Sequence, residues 1–397
     1  MKDNQFTKSK ITNRVESRKK ITSIGLFLIC AFVSVVVLVT LLILILPDRQ
    51  MSEKENRVLA QKPVLTLSSI TSGKFMTDFE SYLTDQFPFR DQIISFKTFV
   101  DRSVGKKEEN GVYIGKDGFL FEQQTAYDKS QVKKITSAVT EFAEKNKKLK
   151  KAFILSPNSS YVLSDLLPTG YEPESQKQQL DRIRDRIEPS GISWVDCAGA
   201  FDARTDKTEL FYRTDHHWTT KAAYIAFKEL ADCFKISLKN ASYKFFSVSD
   251  SFQGTLASSS GVGNSTDEIK ICVPQKPKVS YVVNFESSSK KTATLFDKEK
   301  LNQKNQYEVF LGGNYDKVII STSADTDDTL LIFKDSYANC MLPMLTPYFA
   351  KIVVIDPRYF SDSLEQIMKS YNFTHVLFLY NLNTFLADNS LVDALES

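Results

Sequence analysis

Histidine is scarce in this chain of 397 residues: there are three, and two stand side by side as His216 and His217. Imidazole is the side chain that titrates near neutral pH, so proton-transfer capacity is concentrated in one place. Cysteine is equally sparse. None of the five falls in a C-x-x-C pair, which removes the usual frameworks of structural zinc. Cys30 lies in an apolar run, and Cys197, Cys233, Cys272 and Cys340 are widely spaced, so their disulfide state stays open. A basic surface is missing too. Residues 1–20 hold seven Lys or Arg against two acids; the remainder carries 44 against 46, so the formal net charge of +3 gives no support to nucleic-acid binding. There is no internal repeat, and no G-x-S-x-G elbow to support an ordinary α/β-hydrolase.

Charge is also absent from Ile21 to Leu46, 26 residues of which 19 are Leu, Ile, Val or Phe. As a helix this stretch is about 39 Å long at 1.5 Å per residue, enough to span a hydrocarbon core of roughly 30 Å with some tilt. The basic flank precedes it, whereas Asp48 to Arg57 is charge-mixed, which predicts a cytoplasmic amino terminus and an extracellular remainder. The run is longer than a signal-peptide core and lacks a small-x-small exit, which predicts an uncleaved anchor.

What is abundant is apolar and aromatic surface, 42% and 12% of the chain, enough for a sizeable core. The expected organisation is a basic cytoplasmic tail (1–20), a transmembrane helix (21–46), a linker and helical segment (47–109) and an extracellular α/β domain (110–397). In the helical segment Phe75, Phe79, Leu83, Ile93, Ile94, Phe96 and Val100 recur at helical spacing around a break at Pro88. Such a stripe reads as core, or as a surface for a membrane partner. Asn110 to Phe121 alternates and turns at Asp117-Gly118, a hairpin pattern. Thereafter short apolar strands alternate with amphipathic helices: Ala152–Leu155, Ile192–Asp196, Leu330–Phe333, Ile352–Ile355 and His375–Tyr380. That rhythm predicts a mainly parallel sheet buried on both faces, with its site at the carboxyl ends of the strands. Residues 237–325 break the rhythm and read as an inserted β-rich segment.

Two stretches carry chemistry. Asp215-His216-His217-Trp218 places a carboxylate beside an imidazole, the arrangement that fixes a tautomer and prepares a general base. The same residues equally suit a helix start, with Thr219 or Thr220 as cap. Leu330-Leu-Ile-Phe-Lys-Asp335-Ser336-Tyr337 ends a buried strand on a serine, whose hydroxyl would project above the sheet beside helix amides that favour a developing negative charge. Asp335 or Ser336 could instead simply cap the following helix, expected over Tyr337 to Phe349. Asp-His-His also occurs in two-metal phosphoesterases, but Asp196 and Asp202 do not complete such a ligand set. No metal and no cofactor is expected.

Tyr212-Arg-Thr-Asp-His-His-Trp-Thr219 together with Lys334-Asp-Ser-Tyr-Ala-Asn339 resembles the DHHW family, relatives of the SGNH-like alginate O-acetyltransferases. The similarity runs from Asn56-Arg57 through Gln86-Phe-Pro-Phe-Arg90 and Gly111–Leu120 to Asp356-Pro-Arg358. The resemblance implies an SGNH-hydrolase-like α/β domain with Ser336 as nucleophile, His217 as base and Asp215 as its orienting acid, leaving His216 as a neighbour or substrate contact. Oxyanion or substrate candidates are Gly254 and Asn381 by residue type, the backbone of Ser336 or Tyr337, and Arg358. The resemblance further implies acyl transfer to a cell-envelope or secreted polysaccharide, with a multispanning membrane acyltransferase supplying acetyl groups. An esterase using the same triad, and a non-catalytic scaffold or glycan-binding component, remain open alternatives.

Overall fold

A computed structural model describes residues 2–52, 57–263 and 265–397; Asn56, where the family resemblance begins, lies outside them. The chain forms two compact units, residues 1–97 and 98–397. In the first, a helix over Lys2–Ile45 contains the 22-residue stretch Ile24–Ile45, which is long and apolar enough to cross a membrane. The helix Lys74–Asp85 follows, and the next, Arg90–Ser103, begins just after the expected break at Pro88 and continues past residue 97 into the second unit. The segment after the apolar helix is strapped to Lys74–Asp85. Tyr82 donates to Asp48, the Ala60 amide donates to Asp85, and the Gln86 side chain bonds both the amide and the carbonyl of Arg49. The apolar stripe is not the buried core its spacing predicted: Phe75, Phe79, Leu83 and Ile94 are half-buried, and Phe96 is 68% exposed. Helical periodicity marks an apolar face, but burial also needs an element that covers it.

The second unit is built on an eight-stranded sheet. Its strands are β1 (Lys150–Ser156), β2 (Ser193–Val195), β3 (Tyr281–Phe285), β4 (Lys290–Thr292), β5 (Lys317–Thr322), β6 (Thr329–Lys334), β7 (Lys351–Ile355) and β8 (His375–Asn381). Their spatial order is β4-β3-β5-β7-β6-β8-β1-β2. The five strands from β7 to β2 are parallel, while β5, β3 and β4 add antiparallel at one edge. In a strand, successive side chains point to opposite faces. Ile154, Ile332, Val354 and Leu377 accordingly join one buried cluster, and Phe153, Phe333, Val353 and Phe378 join another. The helix Thr220–Phe234 covers the first face, and Lys129–Lys145 and Gln176–Ile187 cover the second. Each strand is therefore apolar at consecutive positions, the continuous pattern that pointed to a sheet covered on both sides.

The span 237–325 is β-rich but only partly stands apart. Ser242–Phe252 and Asp267–Lys276 pair as a separate antiparallel ribbon. Its remaining strands extend the main sheet as β3, β4 and β5, because Val283, Phe285, Val318 and Ile320 supply the same buried face as the parallel strands. The helix expected over Tyr337–Phe349 is also shorter. A 3-10 turn over Ser336–Cys340 leads into a single α turn, Leu342–Leu345, with Pro343 at its start, where a ring without an amide proton cannot continue the preceding turn's hydrogen bonds.

Candidate active site

The carboxyl edge of the sheet is where the two chemistry-bearing stretches meet. β6 runs out at Lys334, and Asp335 turns the chain by accepting the Tyr337 amide (2.9 Å) and, from the end of β8, the Asn381 amide (2.8 Å). Asp335 is thus a cap, as the simpler reading held, and its capping fixes where Ser336 points. The histidine-bearing stretch is a tight loop closed by a bridge between Phe211 and Trp218. Thr219 caps the helix Thr220–Phe234 by accepting the Ala222 amide, so the cap and the site coexist. Two reciprocal bonds join the loops: Trp218, fully buried, donates its indole N–H to the Tyr337 carbonyl (2.9 Å), and the Tyr337 hydroxyl donates to the His216 carbonyl.

Between these ties the structure brings Asp215, His217 and Ser336 into one line. Asp215 Oδ1 lies 2.5 Å from His217 Nδ1, and His217 Nε2 lies 2.7 Å from Ser336 Oγ. Asp215 and His217 are buried (1% and 5% exposed), and Ser336 is half-buried. Burial pushes the His217 imidazole down to about 4, with the neighbouring His216 acting in the same direction against the opposing pull of Asp215. The ring is therefore neutral at pH 7, with Nδ1–H directed to the aspartate and an Nε2 lone pair for the serine proton. Burial alone would raise Asp215, but the histidines beside it and the hydrogen bonds from His217 and the Thr255 amide hold it well below the usual carboxylate range.

Several supporting residues were not singled out from the sequence. The Thr255 amide (2.8 Å) and hydroxyl (3.0 Å) both donate to Asp215 Oδ2. Buried Asp267 accepts the amides of Arg213 and Thr214 and the Thr214 hydroxyl, clamping the loop just before Asp215. Tyr307 stacks on His217 with ring centres 3.8 Å apart, and its hydroxyl donates to the Ser336 carbonyl at 3.2 Å. All three come from the 237–325 span, where no periodicity or motif distinguishes them.

The oxyanion candidates fare differently. The Gly254 amide is bonded to the Thr214 hydroxyl (3.0 Å), and a Cβ on Gly254 would sit 2.2 Å from Asp215 Cβ, so this glycine makes room for the aspartate. Asn381 donates its side-chain amide to Asn158 and its backbone amide to Asp335, and its side-chain oxygen accepts the Asn383 amide. The Tyr337 amide is taken by Asp335. The Gly254 and Tyr337 amides are thus committed, and Asn381 keeps only its second side-chain proton, so the Ser336 amide is the backbone donor left at the site. Arg358 follows β7 and forks onto Asp356 through two bonds of 2.8 and 2.7 Å, while Asp356 also pairs with Lys334 at 3.1 Å. Lys334 and Asp356 are wholly buried, whereas the Arg358 side chain is 28% exposed at the same edge. Its positive charge is felt at His217, where it too disfavours the imidazolium.

Asp215, His216 and His217 are also grouped closely enough to suit a metal ion. Their donors are already spoken for: four protein hydrogen bonds reach the Asp215 oxygens, both nitrogens of His217 are engaged, and His216 Nδ1 is on Thr255. One remaining lone pair does not make a coordination site.

Residues 112–312 match the family described as SGNH hydrolase-like domain, acetyltransferase AlgX. No curated protein matches the chain by sequence. Among solved structures, a DHHW family protein from Eubacterium siraeum superposes with a TM-score of 0.60 at 22% identity, over 72% of this chain and 96% of that one. Bacillus cereus PatB1, solved with a sulfonyl adduct, superposes with a TM-score of 0.59 at 16% identity, over 70% of this chain and 97% of that one. At these identities the likeness is one of fold.

Proposed function

The chain belongs to the family of the SGNH hydrolase-like acetyltransferase AlgX, and from that premise we propose that it is a membrane-anchored O-acyltransferase acting on a cell-envelope or secreted polysaccharide outside the cell. The observation that carries the reading is the unbroken hydrogen-bond path from Asp215 through His217 to Ser336. In this reading Ser336 Oγ attacks the acyl carbonyl of the donor while His217 Nε2 takes its proton, and Asp215 stabilises the imidazolium that forms. The developing oxyanion is met by the Ser336 amide, with Arg358 as a cationic neighbour. The leaving group takes the proton from His217. An acceptor hydroxyl then attacks the acyl-serine, gives its proton to His217, and Ser336 recovers a proton as the C–Oγ bond breaks.

Activated acetyl groups are made in the cytoplasm, so an extracellular site needs a supplier across the membrane. A multispanning membrane acyltransferase fits that need, with Ile24–Ile45 as the anchor and the exposed aromatic face of Arg90–Ser103 as a surface for it. The test is acetyl transfer to an oligosaccharide measured against release of free acetate by the purified full chain. Transfer that is lost in Ser336→Ala and His217→Ala, with a measurable fraction retained in His216→Ala, is the expected outcome. Acetate release without transfer would make the protein an esterase with the same triad, and unchanged polymer acetylation in Ser336→Ala would make it a scaffold.

A further inference from the structure

His216 is left over once Ser336, His217 and Asp215 have their roles, yet it is not loosely placed. Its Nδ1 lies 2.7 Å from Thr255 Oγ1, which in turn donates to Asp215 Oδ2 at 3.0 Å. Thr255 has one hydroxyl proton for two neighbours, and the ionised carboxylate, which can only accept, claims it. His216 Nδ1 must then be the donor to Thr255, so when the ring is neutral its proton sits on Nδ1 and its Nε2 carries a free lone pair. The same aspartate thus sets both rings: Oδ1 fixes His217 directly, and Oδ2 fixes His216 through Thr255. The rings lie side by side, centroids 3.9 Å apart, and the His216 carbonyl is anchored by the Tyr337 hydroxyl. The His217 side chain is 6% exposed and that of His216 28%, and His216 Nε2 has no hydrogen-bond partner among the described residues.

Resting on the acyltransferase reading, we propose that His216 and His217 together read a vicinal diol in the acceptor. One hydroxyl attacks the acyl-serine and passes its proton to His217 Nε2, forming the new ester bond as the Ser336 Oγ–acyl bond breaks. The adjacent hydroxyl donates a hydrogen bond to His216 Nε2 and stays unreacted. Water fills only the first position. His216 is therefore an acceptor-binding residue that biases the acyl-enzyme toward sugar hydroxyls, and Thr255 is the positioning residue that keeps its lone pair on Nε2.

The test loads the full-length protein in detergent with p-nitrophenyl acetate and measures how the acyl-enzyme partitions between ethylene glycol and 2-methoxyethanol, which has the same skeleton with the neighbouring hydroxyl methylated. Counted per attacking hydroxyl, of which the glycol has two, one hydrogen bond corresponds to a preference of about fivefold for the glycol. The preference should fall to about one in His216→Leu and in Thr255→Val and return in Thr255→Ser, which keeps the hydroxyl. Thermal melts identify variants that fail to fold, and Thr255→Val and His216→Leu each test the point alone. A native protein without preference, or a preference that survives His216→Leu, would overturn the inference while leaving acyl transfer intact. Failure to release p-nitrophenol at all would overturn the acyltransferase reading and the inference with it.

Discussion

Gly254→Ala should silence the protein without unfolding it. Gly254 has an extended backbone that any residue adopts, so the substitution introduces no dihedral strain. The added methyl, however, would lie 2.2 Å from Asp215 Cβ and 2.3 Å from Oδ2. Carbon atoms rest about 3.5–4.0 Å apart, so Asp215 must retreat by roughly 1.5 Å. It cannot do so and keep the bonds to the His217 amide (3.0 Å), His217 Nδ1 (2.5 Å), the Thr255 amide (2.8 Å) and the Thr255 hydroxyl (3.0 Å). A displacement of about 1 Å in a reacting constellation costs about 100-fold, so the acyl-transfer rate should fall by that factor or more. Release of p-nitrophenol measured beside thermal unfolding separates chemistry from folding. A correctly folded Gly254→Ala protein with the native rate would refute the view that Asp215 must hold this position.

Other expectations follow from the same geometry. Tyr307→Phe keeps the ring stacked on His217 and should stay within about threefold of the native rate, whereas Tyr307→Leu removes both the stack and the tie to the Ser336 carbonyl and should lose about tenfold or more; equal effects would mean the stack is incidental. The base must be unprotonated to act, so kcat/KM should be flat at neutral pH and fall about tenfold per unit only below about 4, where His217 titrates; an acid limb near 6.5 would contradict the burial argument. Asp356→Ala leaves Lys334 a buried charge without its carboxylate and should cost about 3–5 kcal/mol in urea unfolding; a loss within 1 kcal/mol would show that Asn314 suffices as its partner.

The parallel sheet was legible because β1, β6, β7 and β8 are buried on both faces and so are apolar without interruption. Ser336 could be placed because it ends such a run, and Asp215 and His217 because histidine is rare and a carboxylate stands beside the pair. Thr255, Asp267 and Tyr307 were not legible. Their roles depend on contacts at least 29 residues away, Thr255 with Asp215 and Tyr307 with His217 and Ser336, and neither threonine nor tyrosine carries a local pattern that announces such a partner. The same span hid β3, β4 and β5, whose antiparallel pairing leaves no helix between strands to set a rhythm. The stripe through Ile93 and Phe96 misled in the opposite direction, because periodicity reports an apolar face and not what covers it.

The central claim is that Ser336 is an activated nucleophile, and its most direct measurement is covalent labelling of the full chain with an aryl sulfonyl fluoride followed by peptide mass spectrometry. The expected result is a single sulfonyl adduct on Ser336, absent in Ser336→Ala and formed at least about 100-fold more slowly in His217→Ala. An adduct that forms elsewhere, or on Ser336 at the native rate when His217 is gone, would contradict the account.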